Sequence, residues 1–257
     1  MLFDFTHVAY IVISYLITAA LLLLFYKKAT GERAKTLILR FFAVITVVLH
    51  YSSLWVDFFT TGEAVAQSPM LLPIYPCNVC MWLLLVTAFI KNRKGVVYRI
   101  LSEFTFWAGV VCGTIGIVLN ENYGNTPSLA DYEVLKGLLS HSTMVFGALW
   151  LLVGGFIKIR VFNVISSACG LCFFLLDGAI INGLYALFDL SPCNSMYLLE
   201  VPFSDMPWLT PYLMGLAAVL LVFGITALYE YFALPKNERW YAKIKTLYFK
   251  KKENTND

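Results

Sequence analysis

Apolar residues in this chain come in long runs, separated by short stretches where charges gather. Seven runs stand out, near Val8–Phe25, Phe41–Thr60, Leu71–Ile90, Val97–Leu119, Leu135–Ile157, Val161–Phe188 and Leu209–Phe232. Each reaches the roughly 18 residues at which an apolar run reads as a membrane-crossing helix. Alternating segments of about ten residues, the mark of a membrane β-barrel, are not seen. The pattern predicts an all-α polytopic membrane protein with seven transmembrane helices. No repeat, low-complexity tract or long linker divides it, so one seven-helix domain over 1–235 is expected, followed by a tail over 236–257.

Composition agrees. Of 257 residues, 60% are hydrophobic and 14% charged, and the mean hydropathy is +0.73. A soluble domain carries about 25% charged residues, so a soluble globular, disordered or disulfide-stapled chain is excluded. The basic residues then orient the spans. Eighteen of the 19 Lys and Arg fall after spans 1, 3 and 5 and in the tail; only Lys136 lies on the other side. The positive-inside rule places the N-terminus outside and the C-terminus in the cytoplasm. The first span reads as a retained helix rather than a cleaved signal, because Lys27 and Lys28 follow it and no Lys or Arg precedes it. The formal charge of +3 comes from cytoplasmic loops and implies no nucleic-acid partner. In the tail, Trp240, Ile244, Leu247 and Tyr248 recur at helical spacing among lysines, a pattern that suits contact with anionic inner-leaflet lipids.

Ionisable residues inside a span are costly and therefore candidate functional groups. They are His50 and Asp57 on span 2, Glu103 on span 4, His141 on span 5 and Asp177 on span 6, joined by Cys77, Asn78 and Cys80 on span 3 and Asn182 on span 6. At 1.5 Å per residue, Cys77 and His141 each fall about 9 Å below the outer end of their spans, with Asn182 and Asp57 in the same layer. His50 and Asp177 lie near the midplane, where they could pair. Glu103 belongs to the cytoplasmic half. Pro76 suits the first turn of a helix, which would put Cys77 at a helix N-terminus, where free N–H groups and the dipole favour a thiolate. A nearby histidine would serve as its general base, with His50 or Asp57 orienting it. Ser142 and Thr143 could supply polar contacts around it. Asn78, Asn182 or the first N–H groups of span 3 could hold an oxyanion. No cofactor or metal is called for.

Other readings stay open. Cys77-Asn78-Val79-Cys80 could be an outer-face redox pair working with a quinone, with Cys193 as shuttle cysteine. His50, Asp57 and Asp177 could line a proton or solute path in a transporter, or sit in a non-catalytic scaffold. Four thiolates from the two C-x-x-C motifs would make an unlikely zinc site in a bilayer. A rhodopsin-like photoreceptor is excluded, because the seventh span has no lysine.

The run Leu72-Pro73-x-x-x-Cys77, followed 64 residues later by His141, resembles the bacterial YwaF-type integral membrane proteins. That family is similar to eukaryotic membrane acyltransferases that remodel polyunsaturated ether phospholipids. Asn163, the run from Gly170 to Leu176, Pro207-Trp208 and Pro211-Tyr212 carry the likeness further, from about Leu71 to Gly215. The resemblance implies a multi-pass protein of a bacterial plasma membrane, with Cys77 as nucleophile and His141 as its partner; the expected activity is a lipid acyltransferase or acyl hydrolase that works on membrane phospholipids through a thioester near the outer leaflet. The chain departs from the pattern at Pro76-Cys77, where Leu-Cys is usual, at Gly170-Leu171, where Asn-Tyr is expected, and at Asp177-Gly178, which stand where the pattern has its following proline. These positions bear on acyl-chain or headgroup preference.

Overall fold

A computed structural model describes residues 2–61, 72–188, 190, 193–201 and 206–245, without the side chains of Ser53, Asp57, Thr60, Thr61 and Glu121. The chain forms eight α-helices there: α1 (Phe5–Lys28), α2 (Glu32–Thr61), α3 (Pro76–Phe89), α4 (Val96–Val118), α5 (Glu121–Asn125), α6 (Tyr132–Val153), α7 (Asn163–Leu187) and α8 (Pro211–Ala233). No strand occurs among the described residues. Six helices, α1, α2, α4, α6, α7 and α8, are long and apolar enough to cross a membrane.

The third predicted span differs. Instead of running from Leu71 to Ile90, α3 has 14 residues, from Pro76 to Phe89. At 1.5 Å per residue it is about 21 Å long, short of the ~30 Å hydrocarbon core. Its start is fixed by proline. Pro76 occupies the first turn, lacks an N–H, and forces Tyr75 into extended backbone (φ −104°, ψ 154°). Leu71 lies outside the described residues.

Contacts set the directions of the helices. Thr87 faces Thr105, and Cys80 lies against Cys112, so α3 runs antiparallel to α4. Gly109 abuts Ala148 and Gly116 abuts His141, so α6 also runs antiparallel to α4 and hence parallel to α3. Where α3 and α6 meet, the Leu84 side chain fills the space over Gly147. Small residues let these three backbones approach closely, as membrane helices need when lipid is as apolar as the side chains. Paired hydroxyls tie the outer helices to this centre: Tyr10 to Ser142 (3.0 Å), Tyr15 to Thr114 (2.6 Å) and Thr46 to Thr143 (2.9 Å). Ser142 and Thr143 thus anchor α1 and α2 rather than surround His141. Lower down, Phe42 stacks on Phe146 at 3.7 Å, and Phe25 meets Phe146 and Trp150 edge-on. The Leu23, Leu220 and Phe232 side chains, by contrast, are exposed, as suits a lipid-facing surface.

The basic residues collect at one end. Arg40 covers Phe89, Arg93 bonds Thr36 and covers Phe156, and Trp150 donates to the Lys35 carbonyl. At the same end, the buried Glu230 of α8 accepts from the N–H groups of Val161 (2.8 Å) and Trp240 (2.6 Å). Trp240 therefore packs back against Phe223 of α8. Leu247 and Tyr248 lie outside the described residues. At the opposite end, Asp4 caps α1 and accepts from the Tyr123 hydroxyl (2.7 Å), while the fully buried His7 ring stacks on Tyr123 and bonds the Ile117 carbonyl.

Candidate functional site

Cys77 is the second residue of α3, directly after Pro76, where the helix has backbone N–H groups without intrahelical acceptors. The N–H groups of Asn78 and of Cys77 itself interact with the sulfur, and Sγ donates to Asn78 Oδ1 at 3.3 Å. Asn78 is buried. The segment leading into α3 is held from outside. The Ile74 carbonyl accepts from Met196 N (2.9 Å) and Ser195 Oγ (3.0 Å), and Ser195 is in turn clamped by Asn182. Asn182 Nδ2 donates to the Ser195 carbonyl (3.2 Å), and its Oδ1 accepts from Ser195 N (2.8 Å). Both ends of the Asn182 amide are thus spent on the 3-10 turn Ser195–Tyr197, so it fixes the start of α3 and is not offered to an oxyanion.

A third thiol joins the pair predicted from the C-x-x-C spacing. Cys112 of α4 lies close enough to interact with both Cys77 and Cys80, and all six cysteines are free. Cys193 is buried against Ile74 and Ile181, and burial pushes its thiol pKa up. A buried, protonated thiol is poorly suited to shuttle work, which needs access and thiolate.

His141 projects from α6 onto α4. Its Nδ1 lies 2.7 Å from the Gly137 carbonyl. A carbonyl only accepts, so Nδ1 carries the proton and the neutral ring keeps its lone pair at Nε2. Nε2 is buried and has no hydrogen-bond partner. The ring lies flat over Gly116: a Cβ there would stand 2.0 Å from Cδ2 and 2.2 Å from Nε2.

No hydrogen bond joins Cys77 to His141, yet they occupy one level. With Thr87 opposite Thr105 and Cys80 opposite Cys112, each step back along α3 is a step forward along α4, and Cys77 falls level with Ile115. With Gly109 opposite Ala148 and Gly116 opposite His141, Ile115 falls level with Ser142. Cys77 and His141 thus differ in height by about one residue, or ~1.5 Å. The same helix, α4, touches the thiols with Cys112 and the imidazole with Gly116, one turn apart.

The remaining predicted residues sort around this pair. His50 is close enough to His141 and Lys136 to interact electrostatically with both, but its Nε2 is buried without a partner, so it does not orient His141 by a hydrogen bond. The Gly137 carbonyl does that. Asp177 Oδ2 is also unpartnered, so the expected His50–Asp177 pair is not formed. The Asp57 side chain lies outside the described residues. Glu103 accepts from Ser166 Oγ near the basic end, separate from the site as expected.

Lys136, the one basic residue on the opposite side from the others, sits on the first turns of α6, is buried, and pairs with Glu133 at 2.7 Å. Cys112, Gly116 and His7 were overlooked. Gly109, Gly113 and Gly116 all lie on one α4 face, a small-residue spacing that could have revealed the α4–α6 seam. Among the described residues, no group of three or more His, Cys, Asp or Glu has the arrangement to hold a metal ion.

Residues 2–229 match the TMEM164 family, a transmembrane protein family, and the chain belongs to it. No curated protein and no solved structure matches the chain.

Proposed function

We propose that this TMEM164-family protein is a membrane acyltransferase in which Cys77 and His141 pass a fatty acyl group between lipids through a thioester. The observation that carries this reading is the shared level of the Cys77 thiol and the unpartnered, unprotonated Nε2 of His141 against one helix, α4. The resemblance to YwaF-type proteins, carried in part by the spacing of these two residues, implies the same nucleophile and partner.

The chemistry is balanced within the pair. Nε2 takes the Cys77 proton, and the thiolate attacks the ester carbonyl of a phospholipid. The tetrahedral oxyanion is held by the N–H groups of Cys77 and Asn78 at the start of α3. On collapse the C–O bond breaks, the imidazolium returns its proton to the leaving lysolipid oxygen, and the acyl group stays on sulfur. A second lipid hydroxyl then gives its proton to Nε2 and attacks the thioester, and the incoming proton restores the Cys77 thiol. The imidazole rests over Gly116 and is not bonded to Cys77 beforehand, so in this mechanism His141 turns toward Cys77 when substrate enters.

In this reading the chain crosses the membrane seven times, with the N-terminus outside, and the ~21 Å of α3 together with the Leu72–Tyr75 segment that leads into it makes the third crossing. The substrate comes sideways from the outer leaflet, and anionic inner-leaflet lipids meet the tail, in a plasma membrane. The test is acyl exchange in vesicles carrying a labelled phospholipid and an unlabelled lysophospholipid. Wild-type protein moves the label; Cys77→Ala and His141→Ala do not. Label transfer by Cys77→Ala at the wild-type rate would refute the mechanism.

A further inference from the structure

A cavity lies at the basic end, away from Cys77. It has a volume of about 600 Å³, within the ~300–1,000 Å³ range of small-molecule pockets. Five cationic side chains line it: Arg93, Lys94 and Arg99 before and within the first turn of α4, and Lys158 and Arg160 before α7. One carboxylate, Glu103, lines it too, but it is already engaged by Ser166. Glu32 and Glu238 act at its margin, the latter 3.8 Å from Arg160. Arg93 is committed to Thr36 and Phe156, whereas Lys94, Arg99 and Lys158 form no ion pair among the described residues.

Basic residues at this end follow from topology alone, so the charges by themselves indicate only a solvated rim. Two further features point to a ligand. The Tyr98 side chain lines the cavity and is 4% exposed, yet its hydroxyl is buried without a hydrogen-bond partner. A buried unpaired hydroxyl costs free energy that a bound acceptor would recover. α4 also begins at this cavity without a side-chain cap, through Gly95. Its positive dipole end and first free N–H groups therefore open toward this space.

Donors without acceptors, on a base of unneutralised cations, suit a phosphate ester. We infer that this cavity is a binding site for a phosphate-ester anion of lipid-headgroup size, held by Arg99, Lys158 and Arg160 and the Tyr98 hydroxyl, and distinct from the Cys77 site. The phosphate belongs either to an anionic phospholipid of the adjoining leaflet or to a soluble phosphate ester.

Native mass spectrometry of the full chain in detergent, titrated with dioctanoyl phosphatidic acid, glycerol 3-phosphate or dioctanoyl phosphatidylcholine, tests this. Saturable binding of phosphatidic acid without glycerol 3-phosphate assigns the lipid source. Comparable binding of both assigns the soluble one. In either case Arg99→Gln weakens binding roughly tenfold, as losing a charge-assisted contact does, and Tyr98→Phe weakens it about fivefold. Lys158→Gln, at an exposed position where folding is not at stake, weakens it several-fold, and Cys77→Ala leaves it unchanged. No saturable binding of either phosphate ester, equal binding of phosphatidylcholine, or affinities unchanged in Tyr98→Phe and Lys158→Gln would overturn the assignment.

Discussion

A single methyl group added at Gly116 lands in the ring of His141. In Gly116→Ala the new Cβ would stand 2.0 Å from Cδ2 and 2.2 Å from Nε2, where carbon atoms normally rest ~3.5–4.0 Å apart. The imidazole must therefore retreat by about 1.5 Å. Its one hydrogen bond, Nδ1 to the Gly137 carbonyl at 2.7 Å, cannot follow. Overpacking costs about 1–3 kcal/mol and the lost bond roughly 1 kcal/mol, offset by the ~0.8–1.0 kcal/mol that alanine gains over glycine in a helix. The net destabilisation is about 1–3 kcal/mol, or a fall in Tm of roughly 2–10 °C for a chain of this size. Gly183→Ala and Gly224→Ala are the controls, since nothing lies within 4 Å of a Cβ at either position. Both should match or slightly exceed wild-type Tm. Thermal unfolding in detergent gives the stability, and acyl exchange in vesicles gives the second readout: Gly116→Ala loses most of its activity even well below its Tm. A Gly116→Ala protein with wild-type Tm and exchange rate would refute both the packing and the placement of the ring.

Other expectations follow from the same contacts. Asn182→Ala strips the Ser195 N–H and carbonyl of their partners and loosens the turn that holds Ile74, which should cost about 1–3 kcal/mol in thermal unfolding and slow acyl exchange without abolishing it. Equal stability would mean the turn does not depend on this amide. Glu230→Gln faces an amide NH₂ toward one of two backbone N–H groups, so a loss of about 1–3 kcal/mol is expected, along with faster proteolysis after Trp240. Asp4 is held below its ordinary pKa of 3.8, first by the His7 N–H and then by the Tyr123 hydroxyl. A depressed carboxylate stabilises the fold above its unfolded pKa and loses that contribution as pH falls through the folded value. The stability gap between wild type and Asp4→Asn should thus be full above about pH 4 and close below it; a gap that ignores pH contradicts the capping role.

Much of this architecture is written in the hydropathy pattern, because long apolar runs have one solution in lipid. Six helices of spanning length fall where six runs predict them, and Pro76 marks the start of α3, since proline's missing N–H fits only the first turn. The length of α3 was not legible: Leu71 to Tyr75 are as apolar as the helix that follows, and only the paired prolines hint that the helix starts after them. Depth arithmetic brought Cys77 and His141 to one layer, which the helix contacts also yield. Side-chain partners were beyond it. Asn182 looked like an oxyanion donor because its depth matched, but hydropathy does not reveal that the loop at Ser195 folds back to occupy it. Lys136 falls within the fifth apolar run, but its ion pair with Glu133 one turn earlier was not legible there. Likewise, the partner of His141 is a carbonyl four residues back, a type of contact that residue identity does not announce.

The central claim concerns a covalent bond on one sulfur, and intact-protein mass measures it directly. Purified protein incubated with mixed phospholipids should gain the mass of one fatty acyl group, mapped to Cys77 and removed by neutral hydroxylamine. The adduct should be absent from Cys77→Ala and slow to form in His141→Ala. A protein that stays unmodified, or instead loses two hydrogens in a Cys80-dependent step reversed by reductant, would contradict acyl transfer.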